Sequence, residues 1–283
     1  MSALAVPRHP VPEGVTAADA ARAVADGLAD LAPIGLAELD RRAALQTRVD
    51  RKYVLTPAEV ASLLAALDPA GRVLEIDGRR TFTYASTYLD TPDLLTFHQA
   101  ARRRRRRFKV RTRTYVDTGG TFLEVKTRAA RGVTVKERRP AHPATVALCD
   151  DDAEFVDDRL AAARLTAAPA SSDLVPVLSS HYRRTTLLLP DARVTLDTAL
   201  TWRPAPGHDG GTHPTADVGD LVVVETKAGT TPSSADRLLW RSGHRPDRIS
   251  KYATGLAVLR PDLPDHPWRR LRRERLTARP EGL

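Results

Sequence analysis

The sequence predicts an α+β fold in which an antiparallel barrel or sandwich of about eight short strands carries helices on its outside. Polar and apolar residues alternate with period two in short segments along most of the chain. Helical patterns interrupt these segments without the regular strand–helix–strand repeat that builds a parallel sheet. Apolar residues make up 42% of the 283 positions, which is enough for a sizeable core. Strands are predicted at residues 47–55, 81–90, 108–115, 121–128, 133–138, 178–189, 193–202 and 221–227.

The N-terminal part of the chain predicts three helices around the first strand. Residues 16–31 form an alanine-rich amphipathic pattern, and residues 36–46 form a second helical pattern. The third helix has a well-defined start, because Thr56 and Glu59 have the spacing of a capping box with a proline at the first helical position. This helix is predicted to end near Leu67.

An arginine-rich segment, residues 102–115, lies in the middle of the chain after a short predicted helix at 92–101. Its first half is an uninterrupted run of arginines. In its second half Lys109, Arg111 and Arg113 alternate with apolar residues and threonine, as they would on one face of a strand. Three cations on one strand face repel one another unless that face is solvated or meets an anion.

The C-terminal half predicts strands interrupted by one helical insertion and closed by two helices. The insertion covers residues 143–168, and its acidic cluster at 150–158 is expected to be a solvated helix face and not a metal site. Residues 204–219, which are rich in Gly, His and Pro, predict a surface loop. The closing helices are predicted at 233–242 and 248–259.

Most of the predicted strands place charged residues on one face and apolar residues on the other. For a single strand this is ordinary polar-out patterning. For the whole set, turning the charged faces into a barrel and covering the apolar faces with helices leaves little unbalanced repulsion. Such a lumen would bind phosphate oxyanions, and its carboxylates would hold a divalent metal. The shared faces are Asp50 with Lys52, Lys109 with Arg111 and Arg113, Glu124 with Lys126 and Arg128, Lys136 with Arg138, Arg193 with Asp197, and Glu225 with Lys227.

Charge and composition narrow the classes of function. Lys+Arg number 44 against 35 Asp+Glu, a formal charge of +9 that favours acidic partners. The only cysteine, Cys149, excludes an intrachain disulfide and a cysteine-based zinc site. No apolar run approaches the ~20 residues of a membrane span, and no signal-peptide pattern begins the chain. The sequence therefore predicts a cytoplasmic protein without a transmembrane segment.

Nine short motifs follow one another along residues 36–260. They are RVDRKYVL (48–55), STYLDT (86–91), FKVRTRTY (108–115), FLEVKTR (122–128), TVKERR (134–139), HYRRTTL (181–187), DARVTLDTAL (191–200), VVVETK (222–227) and ISKYATG (249–255). Their order resembles the VTC (vacuolar transporter chaperone) polyphosphate polymerase domain, a branch of the triphosphate tunnel metalloenzymes or CYTH superfamily. The resemblance implies an antiparallel eight-stranded β-barrel tunnel with helices packed outside.

In that family the γ-phosphate of ATP passes to inorganic polyphosphate with the assistance of Mn²⁺ or Mg²⁺. ATP and polyphosphate are thus the implied partners. Family members are often linked to membrane proteins, so a membrane-protein partner stays open, and the sequence does not say whether one takes the product away. The resemblance implies that Glu225 holds the metal and that the substrate is bound by Lys109, Arg128, Tyr182 and Ser250. The implied catalytic residues that grip the phosphates are Lys52, Arg111, Arg113, Lys126, Lys136, Arg184, Arg193 and Lys251.

Two alternatives remain open from the sequence. One is an inorganic or nucleoside triphosphatase of the same fold. Hydrolytic tunnel enzymes carry an ExExK motif on the first strand, whereas residues 49–53 read VDRKY, and this difference favours the polymerase. The other is a non-catalytic module that binds polyphosphate or RNA through the basic runs 102–107 and 268–275. Nucleic acid is the less favoured partner, because it leaves the order of motifs unexplained.

The expected organisation has three segments. Residues 1–35 form a flexible N-terminal segment, residues 36–260 form the tunnel domain, and residues 261–283 form a basic Pro/Arg-rich tail. Within the arginine-rich segment, Arg111 and Arg113 are expected in the tunnel wall. The run at 102–107 is expected at or beyond the tunnel mouth.

Overall fold

The structure is a computed structural model that describes residues 17–42, 49–128, 134–142, 148–165, 168–205 and 215–276. Its helices are α1 (Ala17–Gly27), α2 (Leu36–Arg42), α3 (Pro57–Ala65), α4 (Leu95–Ala101), α5 (Asp150–Ala162), α6 (Ser234–Arg241), α7 (Ala253–Leu259) and α8 (Arg269–Arg275). Its strands are β1 (Ala32–Ile34), β2 (Val49–Leu55), β3 (Arg72–Leu74), β4 (Thr81–Asp90), β5 (Arg107–Tyr115), β6 (Gly120–Arg128), β7 (Thr134–Pro140), β8 (Val175–Leu189), β9 (Ala192–Pro204), β10 (Ala216–Asp217) and β11 (Val222–Ala228). None of the helices in these ranges is long and apolar enough to span a membrane.

Eight strands form one continuous antiparallel sheet in the order β2-β11-β9-β8-β4-β5-β6-β7. The short strands β1, β3 and β10 join its margins. Within the described ranges β2 and β7 are the two ends of this order, and residues from both ends line the same cavity. The sheet is therefore curled into a half-barrel around that cavity. The predicted α+β class and the eight-stranded antiparallel tunnel are confirmed.

The apolar strand faces point outward and are covered by helices, as period-two alternation requires. On the β2, β11 and β9 side, strand residues such as Tyr53 and Val224 pack with α1, α3 and α6 in one apolar cluster. On the β5 and β6 side, Val110 and Leu123 pack against Val156 of α5. Burial of these faces leaves the charged faces turned inward.

A third cluster, built around Trp202 and Tyr252, joins α4, α7 and α8 to the sheet. The buried carboxylate of Asp90 organises it by accepting hydrogen bonds from the backbone N–H groups of Thr96 and Phe97, 2.8 and 2.9 Å long, and from the Tyr252 hydroxyl. A carboxylate at the start of α4 satisfies N–H groups that have no partner within the helix.

The predicted capping box is confirmed. Glu59 N donates to Thr56 Oγ1 at 3.3 Å, and Thr56 N donates to Glu59 Oε2 at 2.7 Å. The helix predicted at 248–259 is wrong in its first part, because the helix begins at Ala253. The preceding segment is instead held to β2, where Asp247 N donates to Lys52 O at 2.7 Å. That contact diverts the chain from helical geometry.

The helix predicted at residues 16–31 is confirmed as α1, whereas the acidic face of α5 differs in part from expectation. Residues 17–34 belong to the segment expected to be flexible, and they contain α1 and β1, with Ala20 and Val24 buried. In α5, Asp152 is buried and lies 3.6 Å from Arg139, so the acidic face is only partly solvated. Residues 1–16, 43–48, 129–133, 143–147, 166–167, 206–214 and 277–283, which include parts of the predicted helices, the surface loop and the basic tail, lie outside the described residues.

Candidate active site

A cavity of about 670 Å³ lies inside the curled sheet. All eight strands of the continuous sheet contribute to its wall, together with α2 and the segment before α7. Among the residues that the structure describes, eleven lysines and arginines line it against four acids, so the cavity is strongly basic. The cations are Lys52, Lys109, Arg111, Arg113, Lys126, Lys136, Arg138, Arg184, Arg193, Lys227 and Lys251.

The lysines of this chain have an unusual distribution. Only six of its 44 basic residues are lysines, and all six line the cavity. Arginine supplies the basic residues elsewhere. Arginine stays charged, whereas a lysine ammonium is a compact charge whose pKa shifts readily on burial. The cavity is thus the one place in the described chain where this compact, titratable cation occurs.

The structure brings together eleven of the thirteen predicted site residues as cavity lining. Arg128 does not line the cavity, because it lies at the end of β6, opposite Arg107. Tyr182 is buried beneath the cavity wall, where its ring stacks on Tyr84 with centroids 5.2 Å apart. The exposed arginines 102–106 also lie outside the lining.

Glu124 holds three cations on the β5–β7 wall. Its Oε2 accepts from Arg111 Nη2 at 2.6 Å, and its Oε1 lies 2.6 Å from Lys136 Nζ and 3.7 Å from Arg113 Nη1. Burial opposes ionisation of this carboxyl, but Arg111, Arg113 and Lys136 outweigh it and hold the Glu124 pKa well below its usual range. The carboxylate fixes the positions of three cations that line the cavity.

Asp197 plays the same part on the β8–β9 wall. Its carboxylate accepts from Arg184 Nε at 2.6 Å and Nη2 at 2.8 Å, and from the Lys251 ammonium. Burial opposes its ionisation, yet Arg184 and Lys251 keep the Asp197 pKa low. The Tyr182 ring supports the group, with Lys251 Nζ 4.4 Å from its centroid.

The buried rings of Tyr84 and Tyr88, which we call the aromatic floor, line the cavity on β4 between these two walls. The guanidinium carbons of Arg113 and Arg184 lie 5.7 and 5.4 Å from the ring centroid of Tyr84. Among the described residues, the buried Nε of Arg113 and Oγ1 of Thr195 have no hydrogen-bond partner. Buried polar atoms of this kind usually have a partner, so both atoms are suited to contact a ligand oxyanion.

A third group of cations lies near Lys109, whose Nζ donates to Ser250 Oγ at 2.7 Å. Burial and, to a smaller extent, repulsion from Lys52 and Lys126 together lower the Lys109 pKa to about 7. Burial beside Arg111 and Arg113, partly offset by Glu124, similarly lowers the Lys136 pKa to about 8. An anion in the cavity would relieve this repulsion and favour the charged amines.

Glu225 is the residue that the resemblance predicts to hold a metal. Its surroundings fit only a metal site that the protein shares with a phosphate ligand. Its carboxylate lies 3.7 Å from Lys227 Nζ, and burial is outweighed by Lys227 and Lys52 so that its pKa is strongly lowered. Within the described ranges no three His, Cys, Asp or Glu side chains gather as a metal cage. Mg²⁺ is commonly held by one or two carboxylates plus substrate phosphates. The residues therefore fit a metal shared with a phosphate ligand.

The sequence did not predict that Glu124 and Asp197 hold the cations of the cavity in position. Both acids stood on charged faces, but their role depends on cross-strand partners, since Arg111 lies opposite Glu124 and Arg184 opposite Asp197. Cross-strand charge pairing was the signal that could have revealed them. Arg138 also belongs to the cavity and had no assigned role.

Comparison with known families decides the relationship. A family model described as the VTC domain matches residues 47–260. The chain belongs to the VTC domain family. No curated protein sequence matches the chain significantly. Family and tunnel fold together point to an enzyme that acts on triphosphates.

Solved structures of low identity are similar to this VTC domain chain. A candidate adenylate cyclase from Vibrio parahaemolyticus is 15% identical, with a TM-score of 0.40 over 75% of this chain and 98% of that one. A candidate adenylate cyclase from Bacillus halodurans is 14% identical, with a TM-score of 0.43 over 74% and 96%. A Hippeastrum protein described as a candidate adenylyl cyclase with a dominant triphosphatase activity is 14% identical, with a TM-score of 0.43 over 75% and 96%.

Proposed function

We propose that this chain is a polyphosphate polymerase that transfers the γ-phosphoryl group of ATP to the end of an inorganic polyphosphate chain, assisted by Mn²⁺ or Mg²⁺. The observation that carries the proposal is the cavity lining, to which the described part of the chain contributes eleven cations and four acids. A substrate that matches this lining is a polyanion with many charges along its length. An inorganic phosphate chain and the triphosphate of ATP both meet that requirement.

The reaction needs positioning and charge neutralisation more than covalent participation by the protein. A terminal oxygen of the polyphosphate chain attacks the γ-phosphorus of ATP, and the bond from that phosphorus to the β,γ-bridging oxygen breaks. ADP leaves with the electron pair of the broken bond, and the chain grows by one phosphoanhydride. One phosphoanhydride replaces another, so the reaction is expected to be reversible.

The cations around Glu124 and those around Asp197 are preorganised for this reaction. Glu124 holds Arg111, and Asp197 holds Arg184, in hydrogen-bonded positions before any ligand binds. Donors fixed in advance stabilise developing charge without the cost of reorganisation in the transition state. In this mechanism Arg113 and Lys251 add charge from the same walls, and Lys52, Lys126 and Lys136 bind the remaining phosphate oxygens.

Glu225 would hold the metal jointly with phosphate oxygens, and the bound ion would neutralise charge on the bridging oxygens. Replacing Glu225 with Gln should raise the metal concentration needed for half-maximal turnover. Tripolyphosphate affinity measured without metal should be retained, because the neighbouring lysines remain. Equal loss of affinity with and without metal would contradict this assignment.

The engagement of Glu124 and Asp197 favours transfer over hydrolysis. Both carboxylates are bound by cations, and their pKa values are depressed, so neither is suited to accept a proton from water. A triphosphatase of the same fold remains the second candidate because it would use the same cations. It would release orthophosphate from tripolyphosphate without forming longer chains.

Turnover of purified protein with ATP and Mn²⁺ tests the proposal. The expected products are ADP and phosphate polymers that lengthen with time on a gel, and both should be lost in Arg111→Ala. Orthophosphate without polymer would support the triphosphatase instead. If tripolyphosphate binding survives Arg111→Ala and Glu225→Ala but is lost on neutralising the two basic runs, the chain is a non-catalytic binder.

Lysine footprinting provides a test that does not depend on turnover. Since every lysine lines the cavity, an amine-modifying reagent should label the protein side chains only within the site. Polyphosphate or ATP should protect Lys52, Lys109 and Lys126 from labelling, as read by mass spectrometry. Unchanged labelling in the presence of saturating polyphosphate would contradict binding in the cavity.

A further inference from the structure

Flat side chains gather near the turn that joins β5 to β6. Tyr115 and Phe122 pack edge to face with ring centroids 5.7 Å apart. The guanidinium carbon of Arg138 lies 4.7 Å from the Phe122 ring centroid, and its Nη1 donates to the Tyr115 hydroxyl at 3.2 Å. All three residues line the cavity, and we call them the aromatic end.

The aromatic end differs in exposure from the aromatic floor of the cavity. Tyr84 and Tyr88 of the floor are buried. Tyr115 and Phe122 are only partly buried, and Arg138 is exposed. A guanidinium held by both a ring and a hydroxyl loses freedom without being buried, and its plane remains accessible. Such a plane can stack on a flat ligand.

Phosphate-binding groups lie directly beside this surface. Arg113 is the cross-strand partner of Phe122 in the β5–β6 ladder, and neighbouring strands lie about 5 Å apart. The buried Nε of Arg113 is one of the described polar atoms without a partner. A stacking surface next to anion-binding groups matches a ligand in which a flat ring is attached to phosphates.

We propose that the aromatic end binds the base of a nucleoside triphosphate while Arg113 contacts its phosphates. The inference rests on the proposed function, in which ATP is the phosphoryl donor. Bases stack on aromatic rings and on arginine planes, whereas an inorganic phosphate chain offers no ring. The aromatic end therefore distinguishes the nucleotide donor from the polymer and orients the γ-phosphate toward the interior of the cavity.

Calorimetric titration with ATP and, separately, with tripolyphosphate tests this assignment in the presence of Mg²⁺. Phe122→Leu keeps an apolar side chain but removes the ring, and Arg138→Lys keeps the charge but removes the plane. Each variant should bind ATP about tenfold more weakly, the size of a lost stacking contact, and should bind tripolyphosphate as the unaltered protein does. Arg22→Lys, at an exposed position of α1, is the matched control and should change neither affinity.

Equal weakening for the two ligands, or no weakening for either, would overturn the base site. Because binding is measured and not turnover, the outcomes remain separable from those of the polymerase. A protein that makes no polymer but shows the ATP-selective loss would retain the base site while the polymerase fails. A protein that binds tripolyphosphate and not ATP would overturn both.

Discussion

The ammonium of Lys109 donates a 2.7 Å hydrogen bond to Ser250 Oγ and so joins β5 to the segment that leads into α7. Burial is the largest cause that lowers the pKa of Lys109 to about 7, and repulsion from Lys52, Lys126, Arg107 and Arg111 supplies the rest of the shift. The amine is therefore partly neutral near neutral pH in the empty cavity.

Ligand binding should be coupled to proton uptake at this amine. A polyanion favours charged Lys109, so tripolyphosphate binding at pH 8 should take up protons, and affinity should fall as pH rises above 7. Titration calorimetry in buffers of different ionisation enthalpy measures the uptake. Lys109→Gln should reduce the proton uptake. The uptake that remains should include that of Lys136, whose pKa is about 8.

The stability of the ligand-free protein should also depend on the ionisation of Lys109. Between pH 7 and the ordinary lysine value of 10.5, the unfolded chain binds more protons at Lys109 than the folded chain. Stability should therefore rise with pH in this window, and Lys109→Gln should flatten that rise. An unchanged slope and unchanged proton uptake in the variant would refute the assignment.

Glu124→Gln should destabilise the empty protein by about 3 kcal/mol, because it leaves buried cations without their counter-charge. Tripolyphosphate can replace that charge, so it should stabilise the variant more than the unaltered protein. Urea unfolding with and without the ligand measures both effects. The control Glu137→Gln breaks a partly exposed pair with Arg159 and should change stability little. Equal ligand effects in all three proteins would contradict the prediction.

Residue parity predicted the charged faces, because side-chain direction in a strand depends only on local backbone geometry. It therefore placed Lys109, Arg111 and Arg113 in one wall without knowledge of the neighbouring strands. Residue parity does not predict how many residues of a strand line the cavity. Arg128 has the correct parity but lies at the end of β6, beyond the lining.

The features that the sequence could not predict depend on contacts between segments that are distant in the chain. The pairing of Arg184 with Asp197 depends on the β8–β9 register, which shifts at an irregularity between His181 and Arg183. The segment before α7 has a helical pattern, but the hydrogen bond from Asp247 N to Lys52 O holds it in another conformation. Neither contact has a local signature.

The arginines that precede β5 should assist the binding of ATP more than the phosphoryl transfer. Arg103 and Arg105 are exposed and lie outside the cavity lining, so their charge can attract ATP without holding it in the transition state. Replacing both with Gln should raise KM for ATP more than it lowers kcat, and high salt should remove the difference. Steady-state kinetics at low and high ionic strength measures this. A loss of kcat comparable to that of Arg111→Ala would contradict it.

A close contact between Gly255 and Trp202 positions the two site residues that precede α7. A Cβ on Gly255 would lie 2.3 Å from Trp202 Cδ1, and the indole Nε1 donates to the Lys251 carbonyl at 2.6 Å. Gly255→Ala must therefore displace α7 or the indole, and with them Lys251 and Ser250. Overpacking of this kind costs about 1–3 kcal/mol of stability.

The same substitution should lower kcat by about a hundredfold, since an ångström of misplacement at a catalytic group has that effect. Gly229→Ala is the matched control, because a Cβ there meets nothing within 4 Å. Urea unfolding reports the packing cost, and turnover at saturating ATP reports the displacement of Lys251. If Gly255→Ala lost stability but kept full kcat, the indole contact would stabilise the fold without positioning the site. That outcome would remove Lys251 from the groups that need exact placement for phosphoryl transfer.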